Sequence, residues 1–239
     1  MRSWSASETL RAFARVARRA SSSMGLAGTA GQIPGSPLPE LALAASVFAG
    51  SFRGPKERFW TRMTLTGASL GALSLLTEPE NRKLSFRIKH LVEGGAIAAG
   101  LYGIFRIGDK MARRIMPNGA GDIQEIYDLR SGQDPLRVGA RLAFVIGPAE
   151  ELFWRGHVQR QLEARQGKLG AAVQATLAYA GVHLASGNPT LVGAASVAGA
   201  WWSALAALGV DMESLILSHV IWDVVIFLVA PTIPAPENI

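Results

Sequence analysis

Residues 190–209, TLVGAASVAGAWWSALAALG, contain no charged side chain. A helix crosses the ~30 Å hydrocarbon layer of a bilayer with about 20 mostly apolar residues. In lipid the backbone polar groups must find partners within their own segment, which restricts such a run to a helix. Similar runs recur at about 41–52, 60–77, 88–105, 138–154, 169–185 and 212–230. The first is short and lies between Glu40 and Arg53, as an interfacial or re-entrant piece would. Gly and Ala dilute the hydropathy of the others but let helices approach closely in a membrane. The expected fold is therefore all-α, a polytopic membrane helical bundle of six to seven spans.

Residues 1–37 read as a separate unit ahead of a membrane domain at 38–239. The tail is rich in Arg and Ser, and its one acid, Glu8, stands at capping-box spacing from Ser5. A helix following it would place Leu10, Phe13, Val16 and Ala17 opposite Arg11, Arg15, Arg18 and Arg19. That arrangement suits an anionic membrane surface, and a disordered basic tail or transit peptide shares the composition. The net charge of +6 does not point to nucleic acid, because the basic residues mostly punctuate apolar runs as they do in membrane-protein loops. With no cysteine, the chain has neither disulfides nor a thiolate nucleophile. Basic residues at 155–168 and acidic ones at 117–136 put the first link inside the cell and the second outside, whereas the links of the N-terminal half are all basic and assign no side.

Charge within an apolar run is expensive and marks function by default. Glu150, Glu151 and Arg155 stand at the end of the run at 138–154. On a helix Glu151 and Arg155 share a face at i,i+4, with the acid first. Glu150 points about 100° away, without a partner on its own helix. Two more polar intrusions follow, Tyr179 with His183 and His219 with Asp223, each again at i,i+4.

Spacing tests whether these groups can meet. If the helix bearing Glu150 turns at Gly167 and returns, Glu150 and His183 both lie roughly 25 Å from the turn, at ~1.5 Å per residue. His219 falls about 10 Å from that level, a mismatch within the reach of helix tilt. A carboxylate and a neutral imidazole together can deprotonate water, and a second histidine can donate to an oxyanion. Glu150, His183 and His219 could instead hold a divalent metal, although the HExxH spacing of zinc peptidases is absent.

Taken in order, EExxxR at 150–155, YxxxH at 179–183 and HxxxD at 219–223 resemble the CPBP family, the CAAX-protease and bacteriocin-processing intramembrane endopeptidases that include the Ras-converting enzyme. The likeness covers roughly 138–230. It implies a protease in which Glu150 is the base and works with His183 on the water. Glu151 and Arg155 would support that base, and His219 and Asp223 would line the oxyanion side. Such a mechanism requires no cofactor, with zinc as the alternative. Tyr179 stands where Phe is usual and Asp223 where some members carry Asn.

The expected partners are membrane lipid and a protein or peptide cleaved at or near the membrane, with no nucleic acid. The Ala-, Gly- and Arg-heavy composition points to a bacterial inner membrane. The rival readings are a catalytically silent scaffold or immunity protein of the same family, and an ion-coupled transporter.

Overall fold

The structure, a computed structural model, describes residues 36–232; the basic tail and its capping box lie almost wholly outside them. Among the described residues the secondary structure is helical, with no strand, as expected for an all-α bundle. The α-helices are α1 (Leu38–Phe52), α2 (Phe59–Thr77), α3 (Ile88–Ile115), α4 (Gly119–Asp128), α5 (Pro135–Arg141), α6 (Gly147–Phe153), α7 (Arg160–His183), α8 (Pro189–Ala207) and α9 (Met212–Val224). Among the described residues three segments are long and apolar enough to cross a membrane by themselves: Ile88–Ile115, Pro189–Ala207 and Met212–Val229. That is fewer than the six or seven apolar runs. The run at 60–77 is diluted by Thr, Ser and Gly, and the one at 138–154 is divided between short helical pieces. Leu91, Val92 and Val197 project outward from the first two of the spanning helices, as side chains in contact with lipid do.

Two links expected between runs are themselves helical. α3 continues through the basic residues to Ile115, and the acidic link contains α4, whose Ile123 and Tyr127 are buried. Glu93, unassigned in the sequence, accepts a hydrogen bond of 2.7 Å from the hydroxyl of Ser214 on α9.

Glycine sets the separations that matter. A Cβ on Gly94 would lie 2.9 Å from that of Leu217 and 3.0 Å from the Ser214 carbonyl, so α3 meets α9 backbone to side chain. A Cβ on Gly71 would lie 2.9 Å from that of Ala149, which brings α2 against the turn bearing the glutamates. There the Ser74 hydroxyl donates to the Leu152 carbonyl at 2.5 Å. Gly167, at φ 75° and ψ 172°, breaks α7 into the end of one helix and its return, at the position the sequence predicts. Only glycine adopts this conformation readily. α8 then begins at Asn188, whose side chain accepts from the Leu191 N–H, with Pro189 at the first helical position.

Candidate active site

The two glutamates stand on α6, between π-helical turns at Leu142–Ile146 and Trp154–Gln159. Pro148 helps to explain the first turn. Having no N–H, it cannot continue the ordinary ladder, and just before it the Gly147 N–H reaches back five residues to the Leu142 carbonyl. Each π turn shifts the subsequent side chains around the helix axis, and such turns occur frequently at functional sites. In this register Glu150 and Glu151 face different partners.

Glu151 is the structural member of the pair. Its Oε1 accepts from Arg155 Nη1 at 3.0 Å and lies 2.7 Å from His219 Nδ1. Arg155 also donates to the Gly199 carbonyl at 3.2 Å, and its guanidinium sits 5.1 Å from the Tyr179 ring centroid and 5.5 Å from that of Trp202. Trp202 stacks on the His219 imidazole at 4.0 Å and 14°. Asp223 Oδ2 is 3.7 Å from His219 Nε2. The ring is thus held between two carboxylates. The roughly 10 Å offset expected for His219 does not occur, because the backbone-close packing of α9 on its neighbours brings it level with Glu151.

Glu150 is partnered from the returning helix. Its Oε2 accepts from the Tyr179 hydroxyl at 2.8 Å, which leaves Oε1 for another donor. Tyr179 is therefore a polar member of the site. Its hydroxyl is the signal that distinguishes it from the usual Phe. One turn on, His183 Nδ1 is 2.7 Å from the Tyr179 carbonyl. A carbonyl can only accept, so Nδ1 carries the proton and the neutral ring keeps its lone pair on Nε2. Phe48 and Phe52 on α1 pack against this imidazole at 5.4 and 5.6 Å. All six residues singled out in the sequence (Glu150, Glu151, Arg155, His183, His219 and Asp223) are buried.

A cavity of about 440 Å³ adjoins four of the six, Glu150, His183, His219 and Asp223. Glu150, Tyr179, His183, His219 and Asp223 line one part of it, and side chains of α2, α3, α4 and α8, mostly apolar, line the rest. The fold therefore brings together both expected halves of the cluster on one wall. A few polar groups converging in an apolar pocket is the usual form of a site for a small or extended ligand.

Residues 132–225 match the model of a family described as Type II CAAX prenyl endopeptidase Rce1-like. This segment is similar to an Rce1-like domain. All six site residues fall within it. No curated protein and no solved structure matches the chain. The family implies a protease acting on a peptide or protein at the membrane, and with three apolar helices of spanning length the chain is an integral membrane protein.

Zinc is the alternative cofactor for the Rce1-like site. Among the described residues no three His, Asp or Glu side chains are grouped to hold a metal ion. Of the expected ligands, Glu150 is engaged by Tyr179, His183 Nδ1 by a backbone carbonyl, and His219 lies between Glu151 and Asp223. Two of the three keep an open position, Glu150 Oε1 and His183 Nε2, while both nitrogens of His219 face carboxylates. A third histidine of the matched segment, His157, is also fully buried, with Nδ1 3.1 Å from Glu78 Oε1. It supports the helix behind the site and does not line the cavity.

Proposed function

We propose that the protein is a multi-pass intramembrane endopeptidase that hydrolyses a peptide bond with a water activated by Glu150 and His183. One observation carries the reading. Each of these groups has one hydrogen-bonding position fixed by Tyr179, and both line the same cavity. A water held there gives one hydrogen to Glu150 Oε1 and the other to His183 Nε2, leaving a lone pair for a carbonyl carbon.

In the first step the water oxygen bonds to that carbon, Glu150 takes the proton, and the carbonyl becomes an oxyanion. Glu150 then returns the proton to the amide nitrogen, the C–N bond breaks, and a carboxyl group and an amine leave. His219 faces the oxyanion. Its Nδ1 is committed to Glu151, so Nε2 can donate only when the ring carries both protons. Glu151 and Asp223 supply the compensating charge on either side. Arg155 fixes Glu151 and thereby the turn of helix that presents Glu150. Aiming fixed donors at developing charge is the largest single contribution in many hydrolases.

The test is proteolysis in isolated membranes, with a panel of membrane-spanning and C-terminal tail peptides, with and without a metal chelator. Cleavage lost in His183→Ala and unaffected by chelator supports the reading. Cleavage abolished by chelator and restored by zinc would replace it with a metal mechanism, and binding without cleavage across the panel would favour a scaffold.

A further inference from the structure

The cavity extends well beyond the Glu150 cluster, and most of its polar side chains there are already bonded within the fold. The Trp60 indole donates to the Leu129 carbonyl, Tyr127 shares a hydrogen bond with Thr232, and Thr190 donates to Asp122. Two are not. Asp109, on α3, has a side chain only 10% exposed, and Arg113 Nε holds its Oδ2 at 3.1 Å while Oδ1 is buried without a partner. Trp222, beside Asp223 on α9, has a buried indole Nε1 that is likewise unpartnered. Both residues line the cavity. Phe105, one turn before Asp109, packs edge-on against the Trp222 ring at 4.7 Å, which sets α3 against that ring one turn from Asp109.

A buried unpaired acceptor and a buried unpaired donor each carry a desolvation penalty unless a partner arrives. Their senses are opposite. Arg113 balances the charge of Asp109, so the free Oδ1 suits a neutral N–H, while an indole can only donate and suits a carbonyl. An extended peptide presents the N–H and C=O of one residue on the same edge. We propose that Asp109 and Trp222 bind the backbone of the substrate in extended form, Asp109 accepting an amide N–H and Trp222 donating to a carbonyl. This sets the register in which the scissile bond reaches Glu150. Both atoms are covered by neighbouring groups, so engagement requires the carboxylate and the indole to turn toward the cavity. The inference rests on the endopeptidase reading for its ligand, a peptide, and concerns its recognition. Because the contacts are to backbone, they select chain conformation and register and leave side-chain identity to the apolar wall.

The experiment is an N-methyl scan of a C-terminal tail peptide from that panel, with each backbone amide methylated in turn. Binding is read in parallel by fluorescence anisotropy on Glu150→Gln and on the unaltered chain. In the unaltered protein, methylation of one amide should raise KM and weaken binding by roughly tenfold or more, the effect of losing a hydrogen bond to a charged group. In Asp109→Leu all the peptides should bind about as weakly as that one, and methylation there should have no further effect. Asp109→Asn, which keeps the acceptor, should restore most of the discrimination. Trp222→Phe should weaken binding severalfold without abolishing that methylation effect. An unchanged methylation penalty in Asp109→Leu overturns the proposal, as does failure of every peptide to bind. Asp109-dependent binding without any cleavage would sink the endopeptidase reading and leave the backbone site standing.

Discussion

Arg155 gives the sharpest test of how the site is held. Its side chain and that of Glu151 are both fully buried, with Nη1 and Oε1 3.0 Å apart. Removing one member of such a pair leaves the other as an uncompensated buried charge, at about 3–5 kcal/mol. Arg155→Met keeps the aliphatic volume and strips the charge, the bond to the Gly199 carbonyl and the contacts with Tyr179 and Trp202. His219 remains beside Glu151 and offsets part of the loss, so the expected destabilisation is nearer ~3 kcal/mol. Glu151→Gln on top of Arg155→Met removes the stranded charge and should recover part of it, so the two changes together destabilise less than their sum. Arg155→Lys keeps a charge without the planar fork that reaches both Glu151 and Gly199, and should fall between. The assay is chemical unfolding in a fixed detergent for these proteins and for Glu151→Gln alone, with cleavage measured on the same samples. A single Arg155→Met change within ~0.5 kcal/mol of the unaltered chain, the ordinary range for a surface substitution, would refute the claim that this pair holds the helix.

Individual contacts carry further consequences. Tyr179→Phe removes the donor on Glu150 Oε2 while keeping the ring under Arg155; cleavage should persist, with stability lowered by about 1.5–3 kcal/mol in unfolding titrations. Gly94→Val would press into Leu217 and the backbone of α9, and should destabilise by about 1–3 kcal/mol while lowering turnover through displacement of His219. Gly167→Ala meets the glycine-only conformation at the helix reversal, with an expected loss of about 1–3 kcal/mol by the same titration. Asp211, in the link before α9, is held below its ordinary pKa by a hydrogen bond from Lys89 and by that ammonium's charge. Its contribution is therefore complete above the usual carboxylate range and lost as pH falls through the lowered value; unfolding midpoints measured from neutral to acid pH should show a small loss that Asp211→Asn removes.

Much of this site was legible because membrane helices make polar residues conspicuous. Glu150, Glu151, Arg155, His183, His219 and Asp223 could be picked out as charge or imidazole in or beside apolar runs, and i,i+4 spacing gave the Glu151–Arg155 pair directly. The reversal at Gly167 was readable because that glycine stands at the midpoint between Glu150 and His183. Phase could not be read. Two π turns flank α6, and each rotates the subsequent residues in a way that counting at 3.6 residues per turn does not capture. Hence the partner of Glu150 is Tyr179, with His183 a turn further along the cavity wall, and His219 meets Glu151. The His157–Glu78 contact was hidden for another reason: it joins residues far apart in sequence, outside any periodic pattern. The extension of α3 to Ile115 was obscured by Lys110, Arg113 and Arg114, whose charges resemble a loop although Arg113 pairs with Asp109 along the helix.

The central claim is that Glu150 is the base that activates the water. The most direct measurement is the single-turnover cleavage rate of Glu150→Gln, purified in detergent beside the unaltered protein, with unfolding followed on both. The account predicts a loss of about 10²–10⁴-fold, the usual contribution of a general base, with the fold retained, since glutamine can still accept from Tyr179. A folded Glu150→Gln protein that cleaves within about threefold of the unaltered rate, far short of that contribution, would contradict it.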